Sequence, residues 1–206
     1  MITPDKSLIE KIKSKKIYAL EGNIGAGKTT MMKIIGQYFT SVEFVEEPVS
    51  QWQNLGGMNL LDAFYSDPER WGFSFEFYSM LSKIKALLNA ANSDKPVIVI
   101  ERSILSNRVF MDLSHELGKL EEIEDTMLMN TYHFYLQHVY PQLSGIIYLD
   151  TPVDECIKEK MDQLCNSSTM NVIRIDGMYD CERDKVRVCQ DMERYLNPNA
   201  ENKIFG

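Results

Sequence analysis

Short apolar runs alternate with stretches of helical periodicity along the chain. Each run is four or five residues long and predominantly apolar, as buried strands are. The runs lie at residues 17–20, 42–45, 97–100, 145–149 and 172–175. Apolar residues recur at helical spacing at residues 29–39, 72–91, 123–140, 152–164 and 179–196. The pattern therefore predicts five strands that alternate with helices.

Alternating strands and helices are typical of a parallel sheet whose two faces are both covered by helices. No repeat, low-complexity tract or linker interrupts the pattern, and the most loop-like stretch is residues 51–58, which contains Gly56 and Gly57. We therefore predict one α/β domain over residues 1–206, built on a five-stranded parallel sheet flanked by helices.

The turn after the first predicted strand has the pattern G-x-x-x-x-G-K-T without a gap, and a predicted helix follows it. This context predicts a P-loop NTPase fold, because glycines let main-chain N–H groups and a helix N-terminus converge on phosphate oxygens. Lys28 is expected to reach the β- and γ-phosphates, and the Thr29 hydroxyl to ligate Mg²⁺. The residues predicted to bind ATP are Gly22, Asn23, Ile24, Gly25, Ala26, Gly27, Lys28, Thr29 and Thr30.

Two acidic motifs follow other predicted strands. Glu101 and Arg102 come at the end of the strongest apolar run, and ligands of open parallel sheets bind at the carboxyl ends of the strands. Glu101 is therefore a candidate Mg²⁺ ligand, and Arg102 a candidate contact for transferred oxygens. Glu47 precedes Pro48, which favours an extended backbone that can turn one carboxylate inward as a general base. An exposed acidic turn is the alternative for Glu47.

Composition narrows the classes of partner. The formal net charge is −8, which argues against sequence-independent nucleic-acid binding. The N-terminus lacks the apolar core of a secretory signal, and no stretch approaches the length of a membrane span. The four cysteines show no C-x-x-C spacing, which favours reduced thiols. We expect a cytoplasmic protein with no nucleic-acid or membrane partner.

Together these motifs resemble the deoxynucleoside kinase family. The residues that carry the resemblance occur in the family's order over roughly the first half of the chain. They are Glu21 to Thr29, Glu47-Pro48-Val49, Trp52, Tyr65, Pro68-Glu69-Arg70-Trp71, Phe73, Phe75 and Glu101-Arg102-Ser103. The P-loop alone is widespread, whereas the combination with the other motifs is much more specific.

The resemblance implies a transfer of the γ-phosphoryl group of ATP, with Mg²⁺, to the 5′-hydroxyl of a deoxynucleoside. It implies that Glu47 is the general base, that Arg102 steadies the hydroxyl and the phosphoryl group, and that Lys28 assists. Tyr65 would form a hydrogen bond with the sugar 3′-hydroxyl, and Trp52 and Phe75 would line the nucleoside pocket, with Phe75 stacking on the base. Phe73 and Phe77 are expected to be ordinary core residues. The resemblance also implies a homodimer.

The residues expected to read the base depart from the family's usual set. Glu76 replaces a usual Gln, Lys83 a usual Arg, and Asn107 a usual Asp. An ionised Glu only accepts hydrogen bonds, whereas Gln also donates them. Glu76 therefore favours adjacent N–H donors, as guanine offers; alternatively, Glu76 and Lys83 form a salt bridge and leave the base poorly specified.

The C-terminal region departs further from the family, which has an arginine-rich lid before the fifth strand. Residues 157–171 contain no arginine, and only Lys158 and Lys160 supply positive charge. Two other functions stay open on this evidence. One is a degenerate member of the family that acts as a nucleotide-binding or structural module. The other is a nucleoside monophosphate kinase similar to thymidylate kinases, for which Glu47 would be badly placed.

Overall fold

The computed structural model describes residues 6–151, 162, 165–166, 169–176, 189–190, 192–193 and 196. The elements, in chain order, are α1 Lys6–Lys13, β1 Lys16–Gly22, α2 Lys28–Gly36, β2 Val42–Val45, α3 Val49–Gln53, α4 Leu60–Ser66, α5 Pro68–Ala90, β3 Val97–Glu101, α6 Ile104–Glu116, α7 Glu122–His138, β4 Gly145–Asp150 and β5 Asn171–Asp176. The helices predicted at residues 152–164 and 179–196 lie largely outside the described residues.

The five strands form one parallel sheet in the order β2-β3-β1-β4-β5. The predicted five-stranded parallel sheet flanked by helices is therefore confirmed. The central strand β1 pairs with β3 on one side, where Leu20 faces Glu101, and with β4 on the other, where Gly22 faces Leu149. These registers bring the carboxyl ends of β1, β3 and β4 to one edge of the sheet.

Both faces of the sheet are buried, which explains the nearly continuous apolar strands. On β3, Val97 and Val99 pack in the same cluster as Met31 and Ile35 of α2. The alternate residues Ile98 and Ile100 pack in a second cluster with α1 and α5 residues. Successive strand residues point to opposite faces, so a strand covered on both faces shows no polar alternation.

Four helices lie in regions for which the sequence predicted no helix. α3 occupies part of the predicted loop at residues 51–58, while α1, α4 and α6 were not predicted. Local caps begin two of them, α4 and α6: the Asn59 side chain accepts a hydrogen bond from Asp62 N, and the Ser103 side chain accepts one from Leu105 N. α5 also begins four residues earlier than predicted, at Pro68, because the Asp67 side chain caps it. The apolar periodicity of these short stretches was too weak to predict helices, although their capping residues are visible in the sequence.

Gly22 ends β1 with a φ angle of 149°, and a Cβ atom there would lie 2.7 Å from the carbonyl oxygen of Leu149. We expect Gly22→Ala to lower the free energy of unfolding by about 3 kcal/mol, since backbone strain and a clash with rigid main chain combine. Gly118→Ala is the control, because its φ is also positive but its Cβ would meet open space; it should cost about 1 kcal/mol. Urea denaturation measures both, and equal losses would contradict the close approach as the cause.

Cys165 and Cys189 are free thiols, whereas Cys156 and Cys181 lie outside the described residues. Among the helices described, none combines the length and the apolar character that crossing a lipid bilayer requires.

Candidate active site

The P-loop connects β1 to α2 at the carboxyl edge of the sheet. Gly25 and Gly27 have φ angles of 76° and 83°, in the left-handed region that glycine adopts without strain. The Lys28 ammonium lies inside the loop, where it donates hydrogen bonds to the carbonyl oxygens of Gly22 (3.1 Å) and Asn23 (2.6 Å). Burial, aided by the positive charge of Arg102, lowers the pKa of Lys28 to about 8. A buried cation ringed by main chain is suited to receive a polyphosphate.

Two oxygen donors meet beside the P-loop. The Thr29 hydroxyl donates a 2.6 Å hydrogen bond to Oε1 of Glu101, which ends β3. A hydroxyl and a carboxylate fit Mg²⁺, which takes one or two protein oxygens and completes its shell with phosphate oxygens and water. The two predicted metal ligands therefore lie together, and their chemistry suits the ion.

Arg102 has a strained backbone at the end of β3. Within the described part of the chain it is the one residue other than glycine with a positive φ, 56°. Its N–H donates to the carbonyl oxygen of Leu20, and its guanidinium lies over the Phe110 ring. Its Nη1 is buried and has no hydrogen-bond partner. Strain of this kind is typical of functional sites, and the unpaired Nη1 is left to donate to a ligand oxygen.

Glu47 lies between two cations. Its Oε1 is 3.1 Å from Lys83 Nζ, and its Oε2 is 3.3 Å from Arg102 Nε. The side chain is 16% exposed and lines the cavity that contains the P-loop. The alternative of an exposed acidic turn is thereby wrong for Glu47, whereas its neighbour Glu46 is exposed.

A cavity of about 570 Å³ joins the P-loop to these groups. That volume suits a small-molecule ligand. The predicted site residues that line it are Ile24, Gly25, Gly27, Lys28, Thr29, Thr30, Glu47, Trp52, Tyr65, Phe75, Glu76, Lys83, Glu101, Arg102 and Asn107. Gly22, Asn23 and Ala26 are buried in the loop behind this surface. The fold thus gathers residues that are far apart in the sequence around one cavity.

Aromatic side chains form one wall of the cavity. The rings of Phe64 and Phe75 are stacked with centroids 4.6 Å apart, and Trp52 meets Phe75 edge-on at 5.4 Å. The Trp52 indole N–H donates to Ser82 Oγ, which holds the ring in place. Phe64 was not predicted as a residue of the site, because it lies on the unpredicted helix α4. Tyr65, the next residue, lies at the cavity surface with its side chain largely exposed.

The three predicted base-reading residues form one buried polar cluster. Asn107 donates through Nδ2 to Glu76 Oε2 (3.2 Å), and its Oδ1 accepts from Lys83 Nζ (3.2 Å). The suggested salt bridge between Glu76 and Lys83 is wrong: Lys83 pairs with Glu47 instead, and Asn107 separates it from Glu76. Burial raises the pKa of Glu76 to about 7, and the Glu47 charge adds to this. The Asn107 hydrogen bond and Lys83 oppose the shift.

Glu21 is a buried carboxylate to which sequence reasoning gave no role. Its Oε1 accepts hydrogen bonds from the main-chain N–H (2.8 Å) and the hydroxyl (2.6 Å) of Ser103. These bonds hold the turn that carries Arg102. Its position directly before the first glycine of the P-loop is the feature of the sequence that could have indicated a role in the site.

Little of the predicted short lid is described. Asp162 and Asn166 are among the described residues, and both bond to the guanidinium of Arg174 on β5, at 2.7 Å and 3.0 Å. Arg174 also lies 3.5 Å from Asp150 at the end of β4. The lysines at positions 158 and 160, the predicted substitutes for lid arginines, lie outside the described residues.

The profile of the deoxynucleoside kinase family matches residues 18–184 of this chain. The chain belongs to the deoxynucleoside kinase family. A probable deoxycytidine kinase of fowlpox virus (strain NVSL) is 31% identical over 94% of this chain and 77% of its own length.

Vertebrate proteins of the family are similar over a shorter region. Bovine deoxycytidine kinase is 36% identical over 69% of this chain, and a mitochondrial deoxyguanosine kinase of Xenopus laevis is 30% identical over 69%. The chain spans 64% and 62% of the length of these two relatives. The family resemblance predicted from the motifs is confirmed.

Proposed function

We propose that this protein is a kinase that transfers the γ-phosphoryl group of ATP to the 5′-hydroxyl of a deoxynucleoside. The observation that carries the proposal is the position of Glu47 in the cavity wall, between Lys83 and Arg102, in the same cavity as the P-loop and the aromatic wall. A carboxylate there can take a proton from an alcohol while phosphates occupy the P-loop.

The proposed step moves one proton and exchanges one bond to phosphorus. Glu47 takes the proton of the 5′-hydroxyl, whose oxygen bonds to the γ-phosphorus. The bond from that phosphorus to the β–γ bridging oxygen breaks, and ADP leaves. Arg102 Nη1 donates to the transferred phosphoryl oxygens, and Lys28 holds the β- and γ-phosphates. Mg²⁺, held by Thr29 and Glu101, would neutralise charge on the phosphates.

The nucleoside half of the cavity suits a flat base and a sugar. Phe75 and Trp52 supply apolar surface for the base, and stacking contributes about 1–3 kcal/mol per base. Tyr65 lies where α4 borders the cavity. We assign it a hydrogen bond to the 3′-hydroxyl of the sugar.

A product panel tests the proposal. The protein is incubated with Mg-ATP and each of the four deoxynucleosides or their monophosphates, and products are separated by chromatography. We expect deoxynucleoside monophosphates and equal amounts of ADP. Turnover of monophosphates alone would overturn the proposal in favour of a monophosphate kinase. Nucleotide binding with no product from any acceptor would overturn it in favour of a binding module.

We also propose that the protein is a homodimer that pairs through α5 and α7. These helices pack together through Met80, Ile84, Leu128 and Tyr132. Their outer surfaces expose large apolar side chains: Phe77, Leu81, Ile123, Met127 and Phe134. Phe77, which was expected to lie in the core, is 38% exposed, so that expectation is wrong. A second copy of the chain would cover this surface.

Met127→Glu tests the dimer. We expect the unchanged protein to sediment at twice the mass of one chain and the variant to shift toward the mass of a single chain, because a buried unpaired charge opposes association. Tyr38→Glu is the control, since Tyr38 is an exposed aromatic residue after α2, elsewhere on the surface. A single-chain mass for the unchanged protein at micromolar concentration contradicts the dimer.

A further inference from the structure

Glu76 is a buried carboxyl group in the wall of the nucleoside cavity. It follows Phe75 on α5, is 3% exposed and lines the cavity. Its Oε2 accepts the hydrogen bond from Asn107 Nδ2, whereas within the described part of the chain no donor bonds to Oε1. Oε1 is therefore free for a ligand and is the atom on which a proton would reside, while Oε2 keeps a second lone pair that can also accept from a ligand.

The neighbours of Glu76 hold its side chain in place, and their charges and hydrogen bonds only partly offset the effect of burial on its pKa. From α6, the Asn107 amide is fixed in one orientation, because its Nδ2 also donates to Ser79 Oγ and its Oδ1 accepts from Lys83. From α5 itself comes the Lys83 charge, which is offset by its 3.1 Å ion pair with Glu47, the charged group that follows β2. Among the described residues no cation forms an ion pair with Glu76, so burial is the largest influence and raises its pKa to about 7.

The two protonation states of Glu76 offer different hydrogen-bonding patterns. The ionised carboxylate only accepts, whereas the neutral acid donates through Oε1–H and accepts through Oε2. Guanine presents two adjacent N–H donors on its pairing edge, which match two acceptors. Cytosine and adenine present a ring-nitrogen acceptor beside an amino donor, which match the neutral acid. A mismatched edge leaves buried polar groups unpaired and costs affinity.

We propose that Glu76 selects the nucleobase in two protonation states: ionised Glu76 accepts the N–H donors of guanine, and neutral Glu76 pairs with the amino and ring nitrogens of cytosine or adenine. The proposal rests on the nucleoside kinase function proposed above and adds its base selection. The protein then prefers deoxycytidine and deoxyadenosine at lower pH and deoxyguanosine at higher pH.

A competition experiment tests the proposal. Deoxyguanosine and deoxycytidine are supplied together with Mg-ATP, and the ratio of the two monophosphate products gives the ratio of their kcat/KM values. The effects of pH on groups that serve both reactions, such as Lys28, cancel in this ratio. Because the ratio of ionised to neutral carboxyl changes tenfold per pH unit, the guanine-to-cytosine product ratio should rise about 100-fold from about pH 6 to about pH 8.

Glu76→Gln makes the test specific. Its amide donates and accepts at every pH, so the product ratio should become independent of pH and favour deoxycytidine. Glu69→Gln is the matched control, an exposed residue of the same helix, and it should keep the pH dependence. A product ratio that stays flat with pH in the unchanged protein overturns the proposal while leaving the kinase function intact. A slope that persists in Glu76→Gln overturns it as well.

Turnover of none of the four deoxynucleosides would contradict the proposed kinase function instead. Base selection is then measured by equilibrium titration of the two nucleosides without ATP, at the same two pH values. The dissociation constant of deoxycytidine divided by that of deoxyguanosine should rise by the same factor from about pH 6 to about pH 8. Equal affinities at both pH values would overturn the proposed role of Glu76.

Discussion

Glu47→Gln is expected to lower kcat for nucleoside phosphorylation by about 10²–10⁴-fold, the usual contribution of a positioned general base. The amide is nearly the same shape as the carboxylate, so it still occupies the space between Lys83 and Arg102. It cannot take up the hydroxyl proton, and the attacking oxygen then retains it. ATP affinity should change little, because Lys28 and the P-loop hold the nucleotide.

Two measurements separate an effect of Glu47→Gln on catalysis from an effect on nucleotide binding. Steady-state kinetics give kcat, and a fluorescent ATP analogue reports nucleotide binding separately. Glu46→Gln is the matched control, because Glu46 is the adjacent carboxylate in sequence and is exposed; its kcat should stay within about twofold. Activity of Glu47→Gln close to that of the unchanged protein would show that another group accepts the proton.

Arg102→Met is expected to lower kcat by about 10³–10⁵-fold, the range for an arginine that stabilises a phosphoryl-transfer transition state. The large effect follows from the setting of the side chain: Nη1 is buried and unpaired, so a developing negative charge meets a donor that needs little rearrangement. Glu47 also loses one of its two cationic neighbours.

Arg102→Lys and Arg108→Met complete this experiment. Lys keeps the charge but not the planar fork, so it should recover only part of the lost rate. Arg108 pairs with Asp112 on the surface of α6 at 2.8 Å, and its replacement should leave kcat within about twofold. Equal losses at positions 102 and 108 would indicate general destabilisation, which thermal unfolding of the three variants would reveal.

The predictable parts of this protein are those in which a local pattern has only one structural solution. The apolar run of β3 and the P-loop sequence before α2 each specify their backbone through nearby residues. The position of Glu101 and Arg102 after a buried strand predicted their place at the sheet edge, because all parallel strands end there. Short helices such as α4 were not predictable by periodicity, and with α4 the stacking residue Phe64 was missed.

Side-chain pairings were less predictable than backbone elements. Glu76 and Lys83 are seven residues, or about two turns, apart on the same side of one helix, which was the basis for the hypothesis of a salt bridge between them. The structure places Asn107 of α6 between them and Glu47 beside Lys83, and the longer-range pair forms instead. The choice depends on how α5, α6 and the segment after β2 pack, and such packing is not encoded in any one segment.

Local sequence patterns were sufficient to predict the α/β architecture, the phosphate-binding loop, the kinase family and the identity of the acidic groups near the phosphates. These follow from short patterns whose backbone geometry and chemistry are local. The folded arrangement was needed to establish which charges meet, that Arg102 is strained with an unpaired donor, and that Glu76 is buried enough for its pKa to lie near neutral pH. Those properties depend on distance and solvent exclusion between segments far apart in the chain, because electrostatic energies follow the folded surroundings and not the order of residues.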